Sequence, residues 1–391
     1  MRGDPAVRDA ESRLRRLPDR PAPRESEAAD RAWRVVEAAY AERPPRAPRR
    51  RTALRFALAA AVVAVGLAAA LTPAGAKVGD WIQERLSSDA VTEVPAFAGL
   101  PAGGKVLAVS GEGAWVVYPD GDLRRVGSFS EAGWSPHGLH VVGVRGRRLE
   151  AVAPPRTLKW SLARPRAVHH PAWSPGDGFR VAYLEGRTLR VVAGDGTDDH
   201  LVRRGAAPVT PAWRPRGGYV LTYAGVGGLI ETVNADTGRR LWKRQAAEPP
   251  LALAWTGDGR RLVALSARAL RVYDRRGRLL LVKRLQGARA LALHPSGKRA
   301  AVTVAGRAGT GVLAVRLRAE RRPHLLVTGL GRVDGIAWSP DGRRLLVASR
   351  DTDQWLLVVP GRRVRALSGV SGELGAGAGF PRVAGWCCVQ R

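Results

Sequence analysis

An apolar strand ending in Trp, followed by a turn of Ser, Pro and Gly, recurs at near-constant spacing through most of this chain. The clearest copy is "IAWSPDGRRLLVAS", with Trp338 at its centre. Earlier copies are "AGWSPHGLHVVGV" at Trp134, "PAWSPGDGFRVAYL" at Trp173, "PAWRPRGGYVLTYA" at Trp213 and "LAWTGDGRRLVALS" at Trp255. In "LALHPSGKRAAVTV" Leu293 takes the Trp place. The intervals are 39, 40, 42, 38 and 45 residues. A chain that repeats several short strands at such a period stacks one structural unit many times, as a β-propeller does.

The turn residues explain themselves. In "SPDG" Pro340 has its φ preset for the second turn position, Asp341 follows, and Gly342 closes the turn. The next strand, "RRLLVAS", is short and apolar, as a strand packed between neighbouring blades must be. Later strands of the units are explicit in "TLRVVAGDGTDDHLVRR" and "ALRVYDRRGRLLLVKRL", each with a Gly-containing hairpin turn. Four strands in about 40 residues make one blade. A lone blade cannot bury both faces, so the flat Trp side chain is expected to fill the space between adjacent blades.

The ends of the repeat fit the same scheme. Gly104 to Phe129 supplies three strands with no Trp strand before them, whereas "FPRVAGWCCVQR" supplies a strand around Trp386 and nothing after it. The C-terminal strand is expected to complete the first blade and close the ring. With the six units at Trp134, Trp173, Trp213, Trp255, Leu293 and Trp338, this gives seven four-stranded blades over residues 104–391. Six blades remain open if the incomplete start is a decoration. From Trp338 to Trp386 the interval is 48 residues, so the last blade carries an extra loop, "SGVSGELGAGAG".

These residues resemble the WD-like propeller repeats of the TolB family, whose blades carry a similar Trp-Ser-Pro-Asp-Gly turn. The resemblance covers roughly residues 104–391 and is clearest at Trp134, Trp173, Trp255 and Trp338. The Trp213 copy has Arg214 in the Ser place, and the blade-ending Trp-Asp of true WD repeats is absent. The resemblance implies a fold and leaves the function open, because such propellers serve as binding platforms, enzyme gates and scaffolds. A second likeness is local. "NADTGRRLWK", Asn234 to Lys243, resembles a turn of pyrroloquinoline-quinone propellers, but it occurs once and with shortened spacing. A well-formed hairpin is the expectation there, with no cofactor.

Ahead of the repeat, "FALAAAVVAVGLAAALTPAGA" runs 21 residues, Phe56 to Ala76, without a charge. At about 1.5 Å per residue such a helix spans a hydrocarbon core of roughly 30 Å. Residues 53–76 are therefore expected to form one transmembrane helix. Arg43, Arg46, Arg49, Arg50, Arg51 and Arg55 flank it on one side and only Lys77 and Arg85 on the other. The positive-inside rule then places residues 1–52 in the cytoplasm and the repeat region outside the cell membrane. A cleaved signal peptide is the competing reading, since "AGA" before Lys77 suits a cleavage site; the long stretch before the apolar run argues against it. Residues 77–103 read as a juxtamembrane helix and linker. Within the cytoplasmic part, residues 26–43 have helical periodicity, and Trp33, Val36 and Tyr40 share one face. That helix either lies on the inner leaflet or docks a cytoplasmic partner.

No catalytic motif emerges. There is no Gly-x-Ser-x-Gly elbow, no phosphate-binding loop, and no room for a hydrolase domain beside the repeat. His169 and His170 lack a third metal ligand near them and read as loop residues. "GDGTDDH", with Asp195, Asp198 and Asp199, reads as a hairpin turn rather than a calcium loop. The two cysteines, Cys387 and Cys388, are adjacent, which excludes a disulfide framework or a zinc site of spaced cysteines. They read as two small apolar strand residues. No metal and no cofactor are expected.

Charge points to the partner class. The chain carries 64 Lys plus Arg against 34 Asp plus Glu, net +30. Through Arg55 there are 15 basic and 9 acidic residues; the remainder, 49 against 25, is +24, so the repeat region itself is basic. Such a charge favours anionic partners. If the repeat lies outside the cell, nucleic acid is a poor candidate, and a protein or an anionic envelope polymer is a better one. The leading expectation is a non-enzymatic, single-pass membrane protein whose propeller is a binding platform. The alternative is a transmembrane regulator resembling anti-sigma factors, with the Trp33 helix as its cytoplasmic arm. A propeller enzyme such as a quinoprotein ranks third.

Overall fold

The computed structural model describes residues 93–95, 100 and 103–388, apart from 177–178, 308, 319–320, 362–363 and 376–378. The transmembrane segment at 53–76 and the helix carrying Trp33, Val36 and Tyr40 lie outside the described residues. Among the described residues, no helix is long and apolar enough to cross a membrane.

Seven antiparallel sheets follow one another as the blades of a propeller. Blade 2 consists of β5 (Glu131–Trp134), β6 (Val141–Arg145), β7 (Arg148–Ala153) and β8 (Thr157–Ala163). Blade 3 holds β9 (Val168–Trp173), β10 (Arg180–Glu185), β11 (Thr188–Ala193) and β12 (His200–Arg204). In blade 4 the strands are β13 (Ala212–Trp213), β14 (Val220–Ala224), β15 (Leu229–Asn234) and β16 (Arg240–Gln245). Blade 5 runs through β17 (Ala252–Trp255), β18 (Arg261–Leu265), β19 (Ala269–Asp274) and β20 (Leu279–Arg284). Blade 6 is made of β21 (Ala288–Leu293), β22 (Arg299–Gly306), β23 (Gly309–Arg316) and β24 (His324–Leu330). Blade 7 comprises β25 (Val333–Trp338), β26 (Leu345–Ser349), β27 (Gln354–Val358) and β28 (Val364–Ser368).

Blade 1 draws on both ends of the repeat. Its strands β2 (Lys105–Ser110), β3 (Gly113–Val117) and β4 (Leu123–Gly127) are joined by β29 (Arg382–Cys387). β29 pairs antiparallel with β2, with Val106 opposite Trp386, and it also packs beside β25 and β5. A short strand, β1 (Glu93–Pro95), pairs in parallel with the outer strand β28, so blade 7 has five strands. β1 falls within the stretch read from sequence as a linker. The extra loop of blade 7 carries a one-turn helix, α1 (Val370–Glu373).

Burial follows the strand order. Second strands such as β14 and β26 are wholly buried, whereas outer strands such as β8 and β20 are mostly exposed. Seven apolar clusters result, one between each pair of neighbouring blades. Burial of this kind contributes about 25 cal/mol per Å² and is what a single blade cannot achieve alone.

Candidate binding surfaces

Each residue at the Trp position sits at the seam between its own blade and the one before it. Trp213 packs with strands of blades 3 and 4, Trp255 with 4 and 5, Trp338 with 6 and 7, and Trp386 with 7 and 1. Trp134 and Trp173 lie against the clusters of blades 1–2 and 2–3, and Leu293 against that of blades 5–6. Three indoles also donate backwards: Trp213 Nε1 to Ala172 O at 2.9 Å, Trp255 Nε1 to Thr222 Oγ1 at 2.9 Å, and Trp338 Nε1 to Ala292 O at 3.2 Å.

The Ser and Asp of the turn are equally committed. Ser339 Oγ donates to Asp341 Oδ1 at 2.6 Å and accepts from Arg344 N at 2.9 Å; Asp341 Oδ1 accepts from Arg343 N at 2.9 Å. Thr256 and Asp258 repeat this arrangement, with Thr256 Oγ1 donating to Asp258 Oδ1 at 2.6 Å. Burial raises the Asp341 carboxyl, but the Ser339 and Arg343 hydrogen bonds outweigh it and hold the group below its ordinary value. These side chains build the turn.

What the turns do offer is charge. The turns from first to second strand and from third to fourth strand emerge on the same face of the ring. In three consecutive blades the turn glycine is followed by a basic pair: Arg260-Arg261, Lys298-Arg299 and Arg343-Arg344. The neighbouring turns add Arg275, Arg276 and Arg278 in blade 5, and Arg316 and Arg318 in blade 6. At the foot of blade 6 these residues surround a cleft of about 550 Å³ lined by Ser296, Lys298, Arg299, Arg316 and Arg318. Guanidiniums crowd one another along this rim. Burial lowers the pKa of both Arg261 and Arg214; Arg318 beside the first and Arg275 beside the second add to it. Among the described residues, the acidic contact at the cleft is long, Arg318 Nη2 to Asp258 Oδ2 at 3.9 Å.

The opposite face carries paired charges at the starts of the inner strands. Glu131 reaches across from β5 to β9: its Oε2 accepts from His170 N at 2.7 Å, and its Oε1 is 3.4 Å from His169 Nδ1. His170 Nδ1 is 3.3 Å from Thr210 Oγ1. Burial lowers the His170 pKa; Glu131 opposes the shift, and His169 and Arg382 reinforce it. Asp334 is matched by Arg332 at 3.0 Å and by Arg350. His169 and His170 lie in strand β9, which corrects the loop reading made from sequence. His170 takes φ +55°, and the pairing of β9 with β10 shifts register beside it. Among the described residues, no group of three His, Cys, Asp or Glu could hold a metal ion.

The remaining sequence candidates are structural. Gly194 to His200 forms the β11–β12 turn, where Asp199 binds Arg164, Arg190 and Tyr183, and Asp195 accepts from Thr197. Asn234 caps its own turn by accepting from Thr237 N at 2.9 Å, and Trp242 is buried with Nε1 bonded to Arg275 O at 3.1 Å. Cys387 and Cys388 are not two independent apolar residues: the structure joins them as a vicinal disulfide at the end of β29. The chain leaves the strand there, with Cys388 at φ +55°, and the sulfurs pack against the turn at Gly138 of blade 2.

The fold has solved relatives. The chain is similar to hydrazine synthase of Kuenenia stuttgartiensis (17% identity, TM-score 0.50, covering 59% of this chain and 76% of that one). It is also similar to the Cps50 (Swd1) β-propeller domain of Myceliophteria thermophila (16% identity, TM-score 0.52, 63% and 88% covered). A putative 6-phosphogluconolactonase of Bacteroides fragilis is covered over its full length by 76% of this chain, at 15% identity and TM-score 0.52. At such identities the likeness shows the propeller fold alone. No protein-family model and no curated protein matches the chain.

Proposed function

We propose that this protein is a non-enzymatic binding platform, held at the cell membrane by residues 53–76, with its propeller on the extracytoplasmic side. The observation that carries the reading is the basic rim over blades 5–7. Its charges face solvent with few acidic partners, while the acidic groups Glu131, Asp199 and Asp334 are each matched by a neighbouring His or Arg. A surface of one sign raises the local concentration of oppositely charged partners and speeds their capture. The ring supplies a rigid frame, so recognition belongs to turns and loops. The partner class is a protein or an anionic envelope polymer; nucleic acid is a poor candidate on this side of the membrane. The pairing of β29 with β2 is read as the latch that holds the ring closed.

The competing regulator reading assigns the partner to the cytoplasmic helix with Trp33, Val36 and Tyr40. Capture experiments separate the two. Full-length chain with the intact cytoplasmic segment, and full-length chain carrying Trp33→Ala and Tyr40→Ala, are each retrieved from detergent-extracted membranes. Equal recovery of specific partners by both supports the platform. Loss of all of them with the double substitution favours the regulator.

A further inference from the structure

The cleft at the foot of blade 6 has a more specific chemistry than a basic surface in general. Lys298, Arg316 and Arg318 are exposed, and Arg299 is half-buried. Arg299 is already committed, with Nη2 3.0 Å from His294 Nε2 and its guanidinium over the Trp338 ring at 5.3 Å. Among the described residues, Lys298 and Arg316 make no ion pair, and Arg318 makes only the 3.9 Å contact with Asp258. Three cations thus point into one opening of about 550 Å³, within the size range of small-molecule sites. Ser296 adds a hydroxyl at the wall.

The surroundings narrow the ligand. Arginine forks match the paired oxygens of phosphate, and a lysine supplies a mobile point charge beside them. The described lining carries no aromatic or aliphatic anchor of the kind that dominates protein–protein recognition. Among the described residues, no exposed Trp, Tyr or Phe lies on this rim of blades 5–7, so nucleic-acid bases would find no stacking surface. The basic pairs of the two adjacent blades, Arg260-Arg261 and Arg343-Arg344, occupy the equivalent turns on the same face. That extends the cation track beyond one compact anion.

We propose that this cleft binds a base-free chain of phosphate groups, with Lys298, Arg316 and Arg318 as its direct contacts and the basic pairs of blades 5 and 7 as its continuation. This rests on the platform reading and names the ligand chemistry of its rim.

Fluorescence anisotropy with full-length protein tests it, using labelled poly(glycerol phosphate), inorganic polyphosphate, oligothymidine and polyglutamate, with inorganic phosphate as competitor. Two triple variants are compared: Lys298→Gln/Arg316→Gln/Arg318→Gln, and a control on the opposite face, Arg147→Gln/Arg187→Gln/Arg204→Gln. Both remove three exposed charges. The cleft triple is expected to weaken a phosphate chain by about tenfold or more and to flatten the log K against log salt slope by about 2, at roughly 0.7 per contact. The control is expected to change binding by less than about threefold, which is the nonspecific share of three lost charges. The single variant Lys298→Gln gives the same direction should the triple fold poorly.

Poly(glycerol phosphate) bound better than polyphosphate identifies a phosphodiester chain; the reverse order identifies a phosphoanhydride chain; either supports the proposal. Equal losses in both triples overturn it, because the binding then tracks net charge alone. Oligothymidine or polyglutamate held as tightly as the phosphate chains, or full competition by millimolar phosphate, also overturns it. None of these failures touches the platform reading, which is tested by partner recovery from membranes.

Discussion

Trp338 shows how completely one residue of the repeat is used. It is 5% exposed, donates to Ala292 O of blade 6, and takes the His294 ring edge-on at 4.7 Å. Trp338→Ala is expected to cost about 3–5 kcal/mol, the range for large aromatic truncations in a core, read as a fall in the urea midpoint. A loss under about 1 kcal/mol would show that blades 6 and 7 do not lean on it. His294 makes the same seam sensitive to acid. Burial holds its pKa below the ordinary value; the bond to Gly342 O opposes this, and Arg299 adds to it. The folded state then binds fewer protons than the unfolded one. Stability is fully present above the unfolded value of about 6.5 and declines as pH falls through it. His140 and His170 are shifted the same way, both by burial first. Urea midpoints at pH 7.5 and 5.0 check this: the midpoint should drop at pH 5.0, and His294→Gln should reduce the drop. Asp258 and Asp341, held low, contribute only in the separate window below about 3.8.

At the scale of the element, the turn from first to second strand of a blade is the unit that sequence made legible. Pro340, Asp341 and Gly342 announced a tight turn, and Gly342 takes φ +70° with His294 of the preceding blade packed against it. A Cβ there would lie 2.6 Å from the imidazole, so Gly342→Ala is expected to destabilise by about 1–3 kcal/mol through strain and displacement. Seven inner strands were likewise countable from the Trp spacing, including the C-terminal one. Other elements left no trace. β1 is three residues long and ends in Pro95, too short to show any periodicity. His169 and His170 carry no sequence mark of the irregular strand they occupy. The basic cleft was visible only as excess charge, because Lys298 and Arg316 meet through strand pairing and not through sequence proximity; the basic pair after three turn glycines was the one available hint. The C-terminal strand offers a direct test of how elements cooperate. Removing residues 382–391 strips Val383 and Trp386 from the seam of blades 7 and 1 and bares the edge of β2. The thermal midpoint should fall by roughly 10 °C or more; an unchanged, cooperative transition would show that β29 is dispensable.

For the whole molecule, the repeat builds a frame whose interior is occupied with holding itself together, and whose turns gather a basic rim over blades 5–7. If residues 53–76 anchor the chain, full-length protein should stay with alkali-washed membranes, and protease added to the outer side should degrade the propeller while sparing the N-terminal segment. A soluble form beginning near Lys77 would point instead to a cleaved leader. On the proposed reading, the partner is held on the basic rim. Site-specific photo-crosslinking in the native membrane tests this most directly, with the photoreactive residue placed singly at Lys298, at Arg343, at Arg147 or Arg187 on the opposite face, and at Trp33. Adducts at Lys298 and Arg343, and none at the opposite face, are the expected result. Adducts confined to Arg147 and Arg187, or to Trp33, would contradict it.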